Sequence, residues 1–288
     1  MGISLKPYFK ILRISDWTGY FLMSLLGFIL SKGFLFPFKT IIGFFAIILL
    51  FLGVGFSVNE CFDTKEDKYN KGKPNILLSQ QMSFRGSLFF SILLGILALI
   101  LSTAFGLKVF LFCLIGLLIG FFYSAEPLRF KSRPFFDLIS HGFFAGVFLF
   151  VLPFLIFNYQ MTVFHWLITF SIFYLSITLE LRNHLEDYES DKKAGVNTSV
   201  CFMGYNKSEN LLRYLVFFYP LIFLPIFLLT SQVYILLFLF FSFVFLFFFL
   251  LGKNYRIVKN YKIMDIYTIL SFALISFFSI LQFYVLQK

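Results

Sequence analysis

The sequence NECFDTKED, residues 59–67, ends one long apolar segment of the chain, and NHLEDYESD, residues 183–191, ends another. Both have the pattern N-x-x-x-D-x-x-x-D, at Asn59, Asp63 and Asp67 and at Asn183, Asp187 and Asp191. Spacings of four residues keep three side chains on one helix face, which drifts by about 40° per step. Two such faces turned toward each other would form a cage of oxygen atoms. Mg²⁺ prefers oxygen ligands and commonly shares them with substrate phosphates.

The composition indicates a membrane protein. Of the 288 residues, 60% are hydrophobic and 48 are Phe, and the mean hydropathy is +0.89. Apolar runs of about 18 residues or more predict membrane-spanning helices. We therefore predict an all-α membrane protein with nine transmembrane helices, at residues 17–36, 40–59, 86–106, 108–124, 138–158, 162–184, 211–230, 232–252 and 264–286. The first apolar stretch is long enough to span and has no small-residue cleavage site, so we expect no cleavable signal peptide.

The distribution of basic residues predicts the orientation. Most of the 24 Lys and Arg lie in the amino-terminal segment or in loops after even-numbered spans, and the opposite side has only Lys32, Lys39, Lys108 and Lys288. The positive-inside rule therefore places the amino terminus and the even loops in the cytoplasm. All 14 carboxylates lie on or near that side, where we expect the active site of a multi-pass protein of a prokaryotic inner membrane. Bases scattered over short loops favour membrane topology over a nucleic-acid partner.

The carboxylates of the two motifs are the main candidates for metal ligands. One acidic cluster at a helix end is readily explained as solvated charge, but two copies with identical spacing are not. Carboxylates packed together repel each other and raise one another's pKa, and a bound cation relieves that repulsion. We predict that the metal ligands are Asn59, Asp63, Asp67, Asn183, Asp187 and Asp191, and that the four aspartates are also catalytic.

Glu180 is a further candidate, because it lies one turn before Asn183 on a similar face inside an apolar stretch. Ionisable groups at membrane depth are functional candidates by default. The alternative is that Glu180 pairs with Arg182 or Arg85. The other polar groups nearby are expected to be solvated acids or structural histidines, namely Glu60, Glu66, Glu186, Glu189, His141 and His184.

Two cytoplasmic segments could bind a diphosphate. The loop after the fourth span reads YSAEPLRFK, residues 123–131, and the loop after the first motif contains NKGKPN, residues 70–75. Arg holds phosphate oxygens with two N–H groups, and Lys acts as a point charge. Topology explains most cytoplasmic Lys, but Arg129 and Lys131 directly follow a span, so we predict that both bind diphosphate. Lys73 is a further candidate that topology alone would also explain.

At these residues the chain resembles the UbiA superfamily of membrane prenyltransferases, of the intramembrane aromatic prenyltransferase type. Residues 59–67 resemble its N-D-x-x-D-x-x-x-D motif, with Glu60 where Asp is usual, and residues 70–79 resemble a degenerate N-R-P-x-R-P-L segment. Residues 123–131 resemble its Y-S-x-x-P-x-R-x-K segment. Residues 187–204 resemble the second aspartate motif and its glycine-containing tail. The four motifs occur in order and cover essentially the whole chain.

The resemblance implies one prenyltransferase domain, residues 1–288, whose nine helices surround a central cavity open toward the lipid. The motif loops 60–85 and 185–210 would form a cytoplasmic cap over an isoprenyl diphosphate held by two Mg²⁺. Asn59, Asp63 and Asp67 would hold one ion, and Asp187 and Asp191 the other. The remaining implied roles are contact with the diphosphate by Lys73, Arg129 and Lys131, and a catalytic place at the reaction centre for Tyr123.

The implied reaction is Mg²⁺-dependent transfer of a polyprenyl group from an isoprenyl diphosphate to a lipophilic acceptor, with release of pyrophosphate. The second motif looks most like that of members acting on quinone precursors, so we predict an aromatic acceptor. Haem, chlorophyll and archaeal ether-lipid members remain alternatives. Two other functions stay open: a terpene cyclase that needs no acceptor, and a cation-coupled transporter. Transporters usually break helices near the midplane, whereas these carboxylates cluster at helix ends.

Overall fold

The computed structural model describes residues 6–70, 75–251 and 262–286, and over these ranges it is helical with no strand. The helices, in chain order, are α1 (Lys6–Ile11), α2 (Thr18–Leu30), α3 (Phe38–Phe62), α4 (Thr64–Asp67), α5 (Phe84–Thr103), α6 (Leu107–Ser124), α7 (Phe136–Ile156), α8 (Val163–Glu186), α9 (Tyr188–Ala194), α10 (Ser199–Met203), α11 (Tyr205–Leu228), α12 (Gln232–Leu251) and α13 (Lys262–Leu286).

Eight helices within the described ranges are long and apolar enough to cross a membrane: α3, α5, α6, α7, α8, α11, α12 and α13. They correspond to the second through ninth predicted spans, so the all-α membrane fold is confirmed. The first predicted span is different. Its helix α2 has 13 residues, about 20 Å at 1.5 Å per residue, which is shorter than a hydrocarbon core of about 30 Å.

The first predicted span is interrupted at Lys32, which has a left-handed backbone with φ of 56°, and a single 3₁₀ turn follows at Gly33–Leu35. A non-glycine residue in that conformation ends the regular helix. The apolar run was correctly identified, but it does not form one continuous helix. The count of nine spans is therefore not confirmed, and the cytoplasmic amino terminus also stays a prediction.

Each motif crosses a helix break at its middle aspartate. Helix α3 ends before Asp63 and α4 begins after it, while α8 ends before Asp187 and α9 begins after it. Both aspartates have nearly the same backbone angles, φ −88° and ψ 11° for Asp63 and φ −91° and ψ 0° for Asp187. In both copies the i→i−4 hydrogen bonds continue through the break at 2.9 Å. The two motifs therefore present their side chains in the same way.

The two motif loops meet above the bundle. Helix α4 of the first loop packs against α9 of the second, and α9 and α10 pack against the end of α8. Residues 71–74 of the first loop, which include Lys73, lie outside the described residues. The pairing of α4 with α9 brings the two aspartate motifs to the same end of the bundle. The function of these loops as a cap stays a prediction.

Helix α7 approaches α8 very closely through a π-helical turn at Gly142–Val147. A Cβ atom on Gly142 would lie 2.5 Å from the ring of Phe173, and one on Gly146 would lie 3.0 Å from the Cβ of Ser176. Only glycine fits such contacts without displacing the neighbouring helix. π-Helical turns are frequent at functional sites. This turn sets His141 directly beside the face of α8 that holds Ser176 and Glu180.

Candidate active site

The two aspartate motifs face each other across one small pocket. Both motifs contribute to its lining, which consists of Asn59, Asp63, Asp67, Asp187 and Asp191 together with Arg13, Glu66, Asn70, Lys131 and Ser190. The spacing argument therefore placed these side chains correctly. The sixth predicted ligand, Asn183, lines the larger cavity next to this pocket instead.

The larger cavity has a volume of about 320 Å³ and shares Arg13, Asn59, Asp63, Asp187 and Lys131 with the small pocket. Its inner part is lined mainly by apolar side chains from α3 and α7: Phe51, Leu52, Phe144, Ala145 and Leu149. Its polar wall consists of Tyr20, Tyr123, His141, Glu180, Asn183 and His184. A charged end that opens into an apolar chamber suits a substrate with an anionic head and a hydrocarbon chain.

Asp63 is the centre of the first copy. Its Oδ2 accepts a hydrogen bond from Nδ2 of Asn59 at 2.6 Å and a second from Nζ of Lys131, and Nη2 of Arg129 lies 3.9 Å from its Oδ1. Burial opposes the charge of Lys131, but Asp63 and Glu66 outweigh that effect and raise the pKa of Lys131 above its ordinary value. Lys131 therefore keeps its positive charge inside the pocket.

Two glutamates of the first motif are not solvated, contrary to the expectation from the sequence. Glu66 is 3% exposed and pairs with Arg129, and Glu60 is 3% exposed and accepts the N–H of Ile76 at 2.7 Å. Burial, followed by the nearby charge of Asp63, raises the pKa of Glu66. The chain at residue 76 folds back over Glu60 at the end of α3, and Arg129 from the loop after α6 reaches Glu66. The helix face that was expected to meet water is therefore covered.

The second copy has a different set of partners. Asp187 Oδ1 accepts a hydrogen bond from Asn70 Nδ2 at 3.0 Å, which ties the first loop to the second motif. Asp191 is 1% exposed, and its Oδ2 lies 3.8 Å from Nδ1 of His184. Asn183 Nδ2 donates to Glu180 at 3.0 Å. The other two glutamates of this motif, Glu186 and Glu189, are exposed, as expected.

Glu180 lines the cavity, and the alternative that it pairs with Arg182 or Arg85 is wrong. It accepts a hydrogen bond from the hydroxyl of Tyr123, and its two oxygens lie 3.4 Å from Nε2 of His141 and of His184. Arg182 points elsewhere on α8 and lies 3.5 Å from Asp265, and Arg85 is exposed. The two histidines that were expected to be structural therefore form part of the cavity wall.

The donor set fits a magnesium ion that is bound together with a phosphate. Oδ1 of Asp63 and Oδ2 of Asp191 are buried and accept no hydrogen bond from any described residue. A buried carboxylate oxygen without a partner is costly, and a cation facing it would stabilise it. Over the described ranges, no three His, Cys, Asp or Glu side chains converge into a complete metal site. Mg²⁺ usually takes one or two carboxylates and completes its shell with water and substrate phosphates.

Comparison with known proteins identifies the family. The sequence model of the UbiA prenyltransferase family matches residues 20–282. The chain belongs to this family. The digeranylgeranylglyceryl phosphate synthase of Saccharolobus solfataricus is 27% identical over 238 residues, which cover 82% of each chain. The 1,4-dihydroxy-2-naphthoate octaprenyltransferase of Bacillus subtilis is 32% identical over 99 residues, 34% of this chain and 32% of its own length.

The fold agrees with that of a solved UbiA homologue. The homologue from Archaeoglobus fulgidus, bound to GPP and Mg²⁺, superposes with a TM-score of 0.70 over 95% of this chain and 98% of its own, at 23% identity. The family model and the curated relatives confirm the resemblance seen in the four motifs, and the protein is a prenyltransferase.

Three residues of this UbiA-family site were missed in the sequence. Arg13 lines both the small pocket and the cavity, and its Nε donates to Asp16 at 2.8 Å. It had been counted only toward membrane topology. The hydroxyl of Tyr20 and Nε2 of His141 lie 3.5 Å apart in the wall of the cavity. Arg13 precedes Asp16 by three residues, which is an ordinary spacing for an ion pair and marks no site in the sequence. Nothing local marks Tyr20.

Proposed function

We propose that this prenyltransferase transfers a polyprenyl group from an isoprenyl diphosphate to the hydroxyl group of a glyceryl phosphate lipid and releases pyrophosphate. The observation that carries the proposal is that both aspartate motifs line one pocket, and that this pocket opens into a cavity with a polar wall and an apolar inner part. A diphosphate fits the polar end, and a polyprenyl chain fits the apolar end. The large share of each chain matched by the digeranylgeranylglyceryl phosphate synthases supports the choice of acceptor.

We assign the diphosphate and its metal to the small pocket. The proposed Mg²⁺ ligands, direct or through water, are Asn59, Asp63, Asp67, Asn183, Asp187 and Asp191. When bound, Mg²⁺ would neutralise charge that develops on the departing pyrophosphate. Lys131 and Arg129 supply further positive charge from the loop after α6, and the resemblance adds Lys73.

The rest of the cavity would protect the reacting carbon. As the allylic C–O bond weakens, C1 of the prenyl group gains positive charge. The ring faces of Phe51, Phe144 and Tyr123 can attract that charge, because aromatic faces carry negative potential. The apolar lining also keeps water away from the reacting carbon. These residues would favour transfer to the acceptor over hydrolysis.

An aromatic acceptor, predicted from the second motif, is the second candidate. Its support is narrower, because the naphthoate-specific relative matches only 34% of this chain. Both candidate acceptors carry an anionic group and a hydroxyl group. In either case Arg13, which is partly exposed at the cavity mouth, would attract the anionic group. The hydroxyl group would then lie toward Tyr20 and His141.

The test is a transfer assay with the full-length protein in nanodiscs, Mg²⁺ and radiolabelled geranylgeranyl diphosphate. Three parallel reactions contain geranylgeranylglyceryl phosphate, 1,4-dihydroxy-2-naphthoate, or no acceptor. We expect label in the glyceryl ether product only when Mg²⁺ is present. Transfer to the naphthoate alone would select the aromatic candidate, and pyrophosphate release without any acceptor would indicate a cyclase. No transfer and no release would contradict the proposal.

A further inference from the structure

We propose that His141 is a catalytic residue that accepts the proton of the acceptor hydroxyl group. The inference rests on the proposed function and names a group that does the chemistry at its acceptor end. His141 lies in the wall of the same cavity whose other end contains Asp63 and Lys131. A nucleophile placed at His141 and a diphosphate placed at Asp63 would therefore share one enclosed space.

The hydrogen bonds of Ser176 define which ring nitrogen of His141 is free. The hydroxyl oxygen of Ser176 lies 3.0 Å from Nδ1 and 3.3 Å from the carbonyl oxygen of His141. The hydroxyl has only one proton to donate, and the carbonyl can only accept. Both contacts are hydrogen bonds only if Ser176 donates to the carbonyl and accepts from Nδ1–H. We therefore assign the proton to Nδ1, which leaves a lone pair on Nε2.

Nε2 has the surroundings of a proton acceptor. It lies 3.5 Å from the hydroxyl of Tyr20 and 3.4 Å from Oε2 of Glu180. Glu180 is itself fixed by donors from Tyr123 and Asn183. A carboxylate held beside an imidazole stabilises the imidazolium that forms when a proton arrives. Tyr20 can orient the incoming hydroxyl group, because its own oxygen both donates and accepts.

The charged and titratable groups around His141 come from four helices. Helix α2 contributes Tyr20, α6 contributes Tyr123, α8 contributes Glu180 and His184, and α7 itself contributes Asp137. Of these, Glu180 is the only carboxylate whose oxygen lies within 4 Å of the His141 ring among the described residues. The nearest negative charge is therefore on the side of the ring where the imidazolium proton would appear.

The proposed step is balanced in atoms and electrons. The acceptor oxygen forms a bond to C1 of the prenyl group, and the bond from C1 to the diphosphate oxygen breaks, with its electron pair leaving on pyrophosphate. The proton of the acceptor hydroxyl group moves to Nε2 of His141. The imidazolium then returns that proton to solvent before the next turnover. Positioned general bases of this kind contribute roughly 10²- to 10⁴-fold to rates.

The experiment compares His141→Gln with wild type in nanodiscs, using geranylgeranylglyceryl phosphate and geranylgeranyl diphosphate. Gln keeps a polar side chain but cannot take up the proton. We expect kcat to fall about 100-fold or more, with the Mg²⁺-dependent affinity for the diphosphate unchanged. The matched control is His165→Gln, at the other end of α8, where the histidine only caps the helix with Thr162. Gln is compatible with that cap, so we expect wild-type rates.

The outcomes separate the proposals. Wild-type rates in His141→Gln would overturn the role of His141 and leave the proposed function intact. A loss of rate matched by an equal loss of diphosphate affinity would have the same meaning. A wild-type protein that transfers nothing to the glyceryl acceptor would overturn both. The pH profile gives a second test. Because a protonated ring cannot accept a proton, the fall of kcat toward acid pH that His141 causes in wild type should be absent from His141→Gln, and the same fall in both proteins would overturn the role.

Discussion

The two copies of the N-x-x-x-D-x-x-x-D motif have the same backbone and different neighbours. In the first, Asp63 is contacted by the cations of Lys131 and Arg129. In the second, Asp191 lies beside His184, and Asn183 donates to another acid, Glu180. The first copy therefore meets positive charge, and the second meets a histidine and a carboxylate. Both copies are proposed to hold the metal that binds the departing diphosphate, and the second copy also lies beside the histidines and Glu180 of the cavity wall.

The difference comes from which helices pack against each copy. The loop after α6 brings its two bases to the first copy, while α7 brings His141 and Asp137 toward the second. The backbone at the two middle aspartates is nearly identical, so the motif itself does not determine the electrostatics. A change that affects both copies equally should therefore have the largest effect on transfer, and changes beside one copy should have smaller and different effects.

Removal of divalent metal should have the largest effect, because both copies would lose the ion that their buried carboxylates require. We expect prenyl transfer to fall to background in EDTA and to return when excess Mg²⁺ is added. The assay is label transfer from geranylgeranyl diphosphate in nanodiscs. Undiminished transfer after exhaustive chelation would show that neither copy holds a metal needed for catalysis.

Asp63→Ala and Asp191→Ala should each reduce transfer by about 10³-fold or more, since each would remove a carboxylate proposed to hold the Mg²⁺ that binds the diphosphate. Asp63 is also paired with Lys131, and Asp191 lies beside His184, so the thermal unfolding midpoint is measured alongside transfer, and a loss of transfer counts only if the variant remains folded. The matched control is Glu189→Ala, which removes an exposed acid of the second motif and should keep wild-type rates. Full activity in either aspartate variant would show that its copy is not a metal site.

Lys131→Met should weaken diphosphate binding specifically, because Lys131 contacts Asp63 of the first copy. Charge-assisted contacts are worth about 1.5–3 kcal/mol, so we expect the diphosphate Kd to rise by roughly 10- to 100-fold. Lys193→Met changes an exposed lysine two residues after the second copy and should leave the diphosphate Kd unchanged. Titration calorimetry with a thiolodiphosphate analogue measures both. Equal changes in the two variants would mean that only the overall charge matters.

Glu180→Gln should have a smaller effect on transfer, and the effect should be on kcat instead of on diphosphate affinity. Glutamine keeps the shape but removes the charge that faces both histidines, so we expect kcat to fall about 10- to 100-fold with little change in diphosphate affinity. Glu209→Gln, on α11 and paired with Arg213 at 3.7 Å away from the cavity, should behave as wild type. If Glu180→Gln lost diphosphate affinity and kept its kcat, Glu180 beside the second copy would act on the diphosphate as Lys131 does beside the first, and the surroundings of the two copies would not differ in function.

The sequence was sufficient for features that depend on local spacing. Runs of apolar residues predicted eight helices that the structure contains, and the four-residue spacing predicted that Asp63, Asp67, Asp187 and Asp191 meet. Both predictions follow from helix geometry, which is the same in any context. The break at Lys32 was not predictable in this way, because hydropathy reports apolar character and not the backbone angle of one residue.

The sequence was insufficient for features that depend on which distant segments cover a side chain. Glu60 and Glu66 lie on helix faces that a helical projection directs to solvent, and only the fold of residues 75–78 and the reach of Arg129 bury them. His141 gains its setting from contacts with Ser176 and Tyr20, which are 35 and 121 residues away in the chain. Such contacts are set by helix packing, and a single sequence does not specify them.

The central claim is that the two copies form one site that holds one diphosphate. The most direct test is Mg²⁺-dependent binding of a geranylgeranyl thiolodiphosphate to wild type, Asp63→Asn, Asp191→Asn and the double variant, measured by calorimetry. We predict that each single variant loses most of the Mg²⁺-dependent affinity and that the double variant loses little more, because the two carboxylates act on the same ligand. Wild-type binding by either single variant would contradict the claim, because it would show that one copy does not contribute to the site.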